Sequence, residues 1–190
     1  MHQIHTTHGF IIDSRPFGEA GKLLSIFTRD LGLVMATAQG IRLEKSKLRY
    51  HSQEYSFREF SFVRGKEFWR LTNAQSYVSA PVGDDLVIRI ALLLRRLLHG
   101  EEANPELFDH ISKSFSFLMN LSEILDEQRN MLESVIVLRV LYFLGYVGKD
   151  KNLDARLTTG DLSLDLLKEF AGQRTVINQH INRALKESHL

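Results

Sequence analysis

The sequence predicts an α+β protein: a small five-stranded β-barrel over residues 1–80, then an all-α domain over residues 81–190. Short apolar runs bounded by Gly, Pro, Asp and Ser fill the first part, the pattern of strands and tight turns. From Pro81 the apolar spacing changes to the three-and-four repeat of buried helices. Charge divides the same way, with 11 Lys/Arg against 7 Asp/Glu in residues 1–80 and 13 against 16 in the remainder. The net charge of +1 therefore conceals a basic front and an acidic back, which points to two modules with different partners.

Phe10-Ile11-Ile12 is the first strand signal, followed by Leu23 to Thr28 and Leu33 to Ala38, with Asp30-Leu31-Gly32 as the turn between the last two. Tyr55-Ser56-Phe57 alternates in one phase and Phe60-Ser61-Phe62 in the other, which predicts a bulge or strong coil near Arg58-Glu59. Phe68 to Thr72 is the fifth strand, after a turn at Gly65. Five short strands with a basic loop match a barrel of the oligonucleotide-binding (OB) type. In the second half, Asp84 caps a helix whose stripe includes Leu86, Ile90, Leu94 and Leu97. Asn104-Pro105 starts another. A third runs from Asp126 to Leu144 and ends at Gly145. Residues 146–162 are expected as a loop, and shorter helices around 163–171 and 175–188 complete the chain.

Composition excludes several functions. Without cysteine there is no disulfide, cysteine-ligated zinc or cysteine nucleophile, in keeping with a reducing cytoplasm. Arg89, Arg95, Arg96 and Arg139 break the greasiest runs, so no segment reaches the roughly 18 apolar residues of a membrane helix. No signal peptide is expected at the N-terminus. Gly18-Glu19-Ala20-Gly21-Lys22 lacks both the upstream glycine and the hydroxyl residue after lysine that a phosphate-binding loop requires. His2, His5 and His8 alternate faces on a strand and are read as a frayed terminus rather than a metal site. The other histidines and the paired carboxylates form no relay, so no catalytic set, metal or cofactor is expected.

The most concentrated signal is Gly40 to Arg49, where Arg42, Lys45, Lys47 and Arg49 face one acid, Glu44. An extended chain puts Lys45, Lys47 and Arg49 on one face, and a helix aligns Arg42, Lys45 and Arg49 instead. Either arrangement suits a phosphate backbone, and a solvated basic loop is the plain alternative. Tyr55, Phe57, Phe60, Phe62, Phe68 and Trp69 interleave with Arg58, Arg64, Lys66 and Arg70. Most of these rings must fill the barrel, but adjacent Phe68 and Trp69 cannot both point inward. One of the two is thus a candidate stacking surface, and Trp69 is counted with Arg64 and Lys66 among the nucleic-acid contacts. In the helical half, Arg95, Arg96 and Arg139 lie against apolar runs, either with snorkelled stems or at the edge of a groove for an acidic peptide.

Gly9 to Ile12, Ser14 to Glu19, Leu23 to Arg29, Gly32-Leu33-Val34, Gly40-Ile41-Arg42 and Lys45 to Arg49 together resemble, in order and spacing, the opening of the bacterial recombination mediator family RecO. The likeness continues through Arg64-Gly65-Lys66, Leu93 to Leu98, Glu101 to Phe108, Leu138 to Leu141 and Leu144-Gly145-Tyr146. The resemblance implies a non-catalytic, cytoplasmic, nucleoid-associated DNA-repair protein. Such a protein binds single- and double-stranded DNA, anneals complementary strands and, with RecR, helps load recombinase on DNA coated by single-strand-binding protein (SSB). It implies Arg42, Lys45, Lys47 and Arg49 as DNA contacts, Lys22 and Arg29 as further ones, and a helical domain that takes the SSB tail. Where many relatives carry a four-cysteine zinc module after the Leu-Gly-Tyr segment, this sequence has Lys149-Asp150-Lys151-Asn152. The expectation is a short member without zinc. The competing reading is an adaptor whose barrel binds a protein partner instead of DNA.

Overall fold

A computed structural model describes residues 3–41, 52–77, 83–121, 123–148 and 153–187. Five strands, β1 (Ile4–Phe17), β2 (Gly21–Thr28), β3 (Gly32–Ala38), β4 (Phe57–Val63) and β5 (Trp69–Ser76), close into a barrel in the order β1-β2-β3-β5-β4. All neighbours are antiparallel except β3 and β5, whose parallel pairing of Ala36 with Trp69 and Thr37 with Arg70 closes the sheet. This is the OB-type topology that the strand count and spacing predict. Closure leaves no free sheet edge to seed aggregation.

The barrel interior is filled by Ile11, Leu24, Ile26, Val34, Ala36, Phe60, Phe62, Trp69 and Leu71, with Ile41 tucked in at one end. The register slips between Ile11 and Asp13 and between Ser61 and Phe62, not near Arg58-Glu59. The apparent change of phase in β4 has another cause. Phe57 stacks on Phe10 at 4.6 Å and meets Phe108 edge-on, outside the barrel, whereas Phe60 and Phe62 point inside. Both faces of that strand are covered, so both carry aromatic residues. Tyr55 is not a strand residue; it sits in a turn with φ of 63°. The segment carrying His5 and His8 is strand, not a frayed end. His5 lies edge-on to Trp69, and His8 stacks on Tyr77 at 3.6 Å, both within β1; His2 is outside the described residues.

Chain contacts divide the molecule into two compact units, residues 1–108 and 109–190, whereas the change of periodicity falls at residue 80. The first unit includes α1 (Asp85–Leu97), capped by the Asp84 carboxylate accepting from the Leu86 N–H. After α1 the chain returns to the barrel, where the Leu33 N–H donates to the Gly100 carbonyl at 3.0 Å. Gly32, at φ +72°, lies so close to this segment that a Cβ there would stand 2.4 Å from the Glu102 nitrogen. Helix α2 (Pro105–Met119) starts where Asn104-Pro105 predicts, with the Asn104 side chain accepting from the Leu107 N–H.

In the second unit, α3 (Asp126–Phe143) packs against α4 (Ala155–Thr159), α5 (Leu164–Phe170) and α6 (Arg174–Glu187). Leu132, Val135, Ile136, Leu138 and Val140 of α3 are buried, as are Leu167, Ile177 and Ile181 on its partners. Among its described residues, the stretch expected as a loop holds a short helix, α4, started by the Asp154 cap. Among the described residues no helix is long and apolar enough to cross a membrane.

Candidate nucleic-acid interface

Strand register puts chemistry on one outer face of the barrel. Arg15 opposes Leu23 in β2, Leu23 opposes Thr37 in β3, and Thr37 opposes Arg70 in β5. Directly opposed residues share a face, so Arg15, Thr37 and Arg70 form one row, with its ends roughly 14 Å apart at three strand spacings. Phe17 follows two residues after Arg15 and therefore points the same way. The β1–β2 turn, Gly18 to Ala20, and the β4–β5 loop, Arg64 to Phe68, flank this row. Phe17 and Phe68 join the two loops, ring edge to ring face, with centroids 5.8 Å apart and planes at 85°. Below them lies a recess of about 260 Å³ between Phe17, the Gly18–Gly21 turn and the Thr37–Gly40 end of β3.

Arg15, Lys66 and Arg70 are exposed and Lys22 is half-buried. None of the four has a hydrogen-bonding or ionic partner among the described residues. Arg15 and Arg70, on a shared face, cost each other Coulomb energy that a polyanion relieves.

Other expected contacts are otherwise engaged. Arg29 is in the β2–β3 turn, bound to Asp30 at 3.3 Å. It lies at the opposite end of the hairpin from Lys22, roughly 20 Å away along the strand. Arg64 donates from Nη1 to both carboxylate oxygens of Glu101 at 2.6 and 2.5 Å, with its guanidinium 4.8 Å above the Trp69 ring. Trp69 itself is only 6 % exposed and donates its indole N–H to Glu101 at 2.9 Å. It is a core residue, not an open stacking surface; of the adjacent pair, Phe68 is the ring that turns outward. Arg42, Lys45, Lys47 and Arg49 lie outside the described residues. Their flanks, Ile41 and Ser52, are both buried in the first unit.

Of the three arginines assigned to a partner groove, Arg95 is exposed and paired with Asp13 of β1 at 3.2 Å, and Arg96 is exposed. Arg139 is 2 % exposed and structural. Its Nε donates to the Leu157 carbonyl at 2.9 Å, and Nη2 to those of Arg156 at 3.2 Å and Gly160 at 2.6 Å, at the end of α4. Burial lowers its pKa to about 10. It binds its own chain rather than a ligand.

Sequence reasoning passed over Arg15 and Phe17. Their signal was an Arg-Pro-Phe-Gly string at the mouth of a turn, where the alternation of β1 places arginine and phenylalanine on one side. Among the described residues no cluster of His, Asp or Glu could hold a metal ion.

Residues 1–79 match the family described as recombination protein O N terminal. The chain is 37% identical over 81 residues to the DNA repair protein RecO of Acaryochloris marina, covering 43% of this chain and 28% of that protein. It is 30% identical over 128 residues to RecO of Dehalococcoides mccartyi, covering 62% and 49%. The figures for RecO of Desulfitobacterium hafniense are 29% over 150 residues, covering 75% and 52%. The chain thus spans about half or less of the length of these relatives. The chain is thus similar to RecO proteins, through a matching N-terminal domain and through alignments that run on into the helices.

Proposed function

We propose that this protein is a recombinational DNA-repair mediator that binds DNA through its barrel and performs no covalent chemistry. The observation that carries this is the pair Arg15 and Arg70 at the ends of one row, with Lys66 on the adjoining loop, all without a partner among the described residues, on the barrel face framed by the β1–β2 and β4–β5 loops. OB-type barrels use that face and those loops for oligonucleotides. Arg42, Lys45, Lys47 and Arg49, which follow β3 in the sequence, are counted as further phosphate contacts in this reading. Such a surface grips sugar–phosphate in single or double strands, and by screening two strands at once it favours annealing. The relatives' name, DNA repair protein RecO, supports the role. Loading of recombinase on SSB-coated DNA, with a RecR-type partner and the SSB tail, belongs to the same reading.

Fluorescence anisotropy with a labelled single-stranded oligonucleotide tests it. Saturable, salt-sensitive binding is expected. Replacing Lys45, Lys47 and Arg49 with alanine should flatten the slope of log K against log salt by about two. An annealing assay on complementary strands, with and without SSB, tests the mediator activity. The near-neutral net charge of +1 favours a second reading, an adaptor whose barrel meets a protein. It requires no binding to DNA even at low salt.

A further inference from the structure

We infer that Phe17, braced by Phe68, is a stacking platform for one unpaired nucleobase, seated over the recess between the β1–β2 turn and the end of β3. The inference rests on the DNA-binding reading and makes it specific, because it gives the barrel a preference for single strands.

Phe17 is the only large hydrophobic residue between Ile4 and Tyr77 that is markedly exposed among the described residues, at 43 %. An aromatic ring left open in a loop mouth forfeits its burial energy, which a planar partner restores. Phe68 meets it edge to face at 5.8 Å, so its orientation is held in advance and little side-chain freedom is lost on binding. The recess beside it is walled largely by backbone. A side chain at Gly21 would stand 2.6 Å from the Phe17 carbonyl oxygen, and Gly40 holds φ at +65°. Glu19 is the single ionised group in the lining of the recess; the cations stand around it, with Arg15 and Arg70 in the row above and Lys22 just after Gly21. A phosphate would choose the rim, and a neutral base the recess. Gln39, exposed and without a partner among the described residues, offers an amide donor and acceptor to a base edge.

The volume, about 260 Å³, falls below the roughly 300–1,000 Å³ of drug-sized sites and suits a single planar ring system. In a duplex each base is already stacked and paired, and exposing its face costs a few kcal/mol. Only a single strand supplies it freely.

The test compares wild type with Phe17→Ala, Phe17→Leu and Phe17→Tyr. Binding is measured to a single-stranded oligonucleotide, to an abasic strand of equal length and to the corresponding duplex. Stacking predicts about tenfold weaker single-strand binding for the Ala and Leu variants, retention in the Tyr variant, and an unchanged salt slope. Abasic and duplex affinities should stay within about twofold, since they rest on phosphates. A 2-aminopurine in the strand should be quenched by wild type and not by Phe17→Leu. Equal losses on all three nucleic acids, or no loss on any, overturn the platform while leaving DNA binding intact. Absence of saturable wild-type binding to every nucleic acid overturns the DNA-binding reading itself.

Discussion

Replacing Arg15 and Arg70 together with alanine isolates the phosphate contribution of the barrel row. The two guanidinium groups sit at the ends of one register line, exposed and without acidic partners among the described residues. Each phosphate neutralised on a single strand contributes about 0.7 to the slope of log K against log salt. Losing two should flatten the slope by about 1.4. Between 50 and 200 mM salt, a fourfold change, wild type should then lose roughly sevenfold more affinity than the variant. The folded state should hardly notice, because exposed side chains outside any network change stability by roughly 0.5 kcal/mol or less. Anisotropy titrations at four salt concentrations give the slopes, and urea denaturation checks the fold. An unchanged slope with an intact fold would refute the assignment of this face to DNA, whatever the 42–49 segment does.

Arg139→Met should remove the donors that hold three carbonyls around α4 and cost about 2–4 kcal/mol, a drop in melting temperature of roughly 5–15 °C. Lysine should not restore it, since one ammonium lacks the planar fork that spans the three acceptors. Gly32→Ala should cost at least about 2 kcal/mol in urea unfolding, because alanine resists a φ of +72° and its Cβ would meet the Glu102 backbone. Trp69 fluorescence should be shielded from iodide and keep its emission maximum on adding single-stranded DNA; strong quenching by either would contradict its place in the core. Arg156 holds the Asp154 carboxyl below the usual carboxylate range, mainly through side-chain hydrogen bonds. A depressed folded-state pKa means that this contact helps above the ordinary carboxylate pKa and is lost as pH falls through the lowered value. Titration of Asp154 by NMR should show its pKa rise toward the ordinary range in Arg156→Ala, short of full return because the backbone N–H of residue 156 still donates to it.

Much of the fold is written locally. Alternation of period two and glycine punctuation identify the strands, and the switch to helical spacing after Pro81 identifies the helices, because both follow from where Cβ atoms point on a regular backbone. Asp84, Asn104 and Gly145 mark helix ends for equally local reasons. The short helix within residues 146–162 went unseen, since five residues from Ala155 to Thr159 show no period; Asp154 and the Arg139 donors stabilise it from outside. The phase change in β4 pointed to a bulge because periodicity assumes one buried face, and here Phe57 and Phe60 are buried on opposite sides.

Composition and order alone determined that this is a basic barrel joined to an acidic helical half, without thiol chemistry, and its resemblance to the RecO proteins. Which cations are available was decided by tertiary structure. Arg64, Arg95 and Arg139 look alike as letters. Glu101, Asp13 and the carbonyls of Leu157 and Gly160 engage them from other elements, while Arg15 and Arg70 have no partner among the described residues. The same holds for the rings: alternation requires Phe68 and Trp69 to part, and the pairing of Trp69 with interior-facing Ala36 is what puts the indole in the core. Charge and aromaticity are properties of a residue, whereas availability depends on what the rest of the chain brings within reach of it.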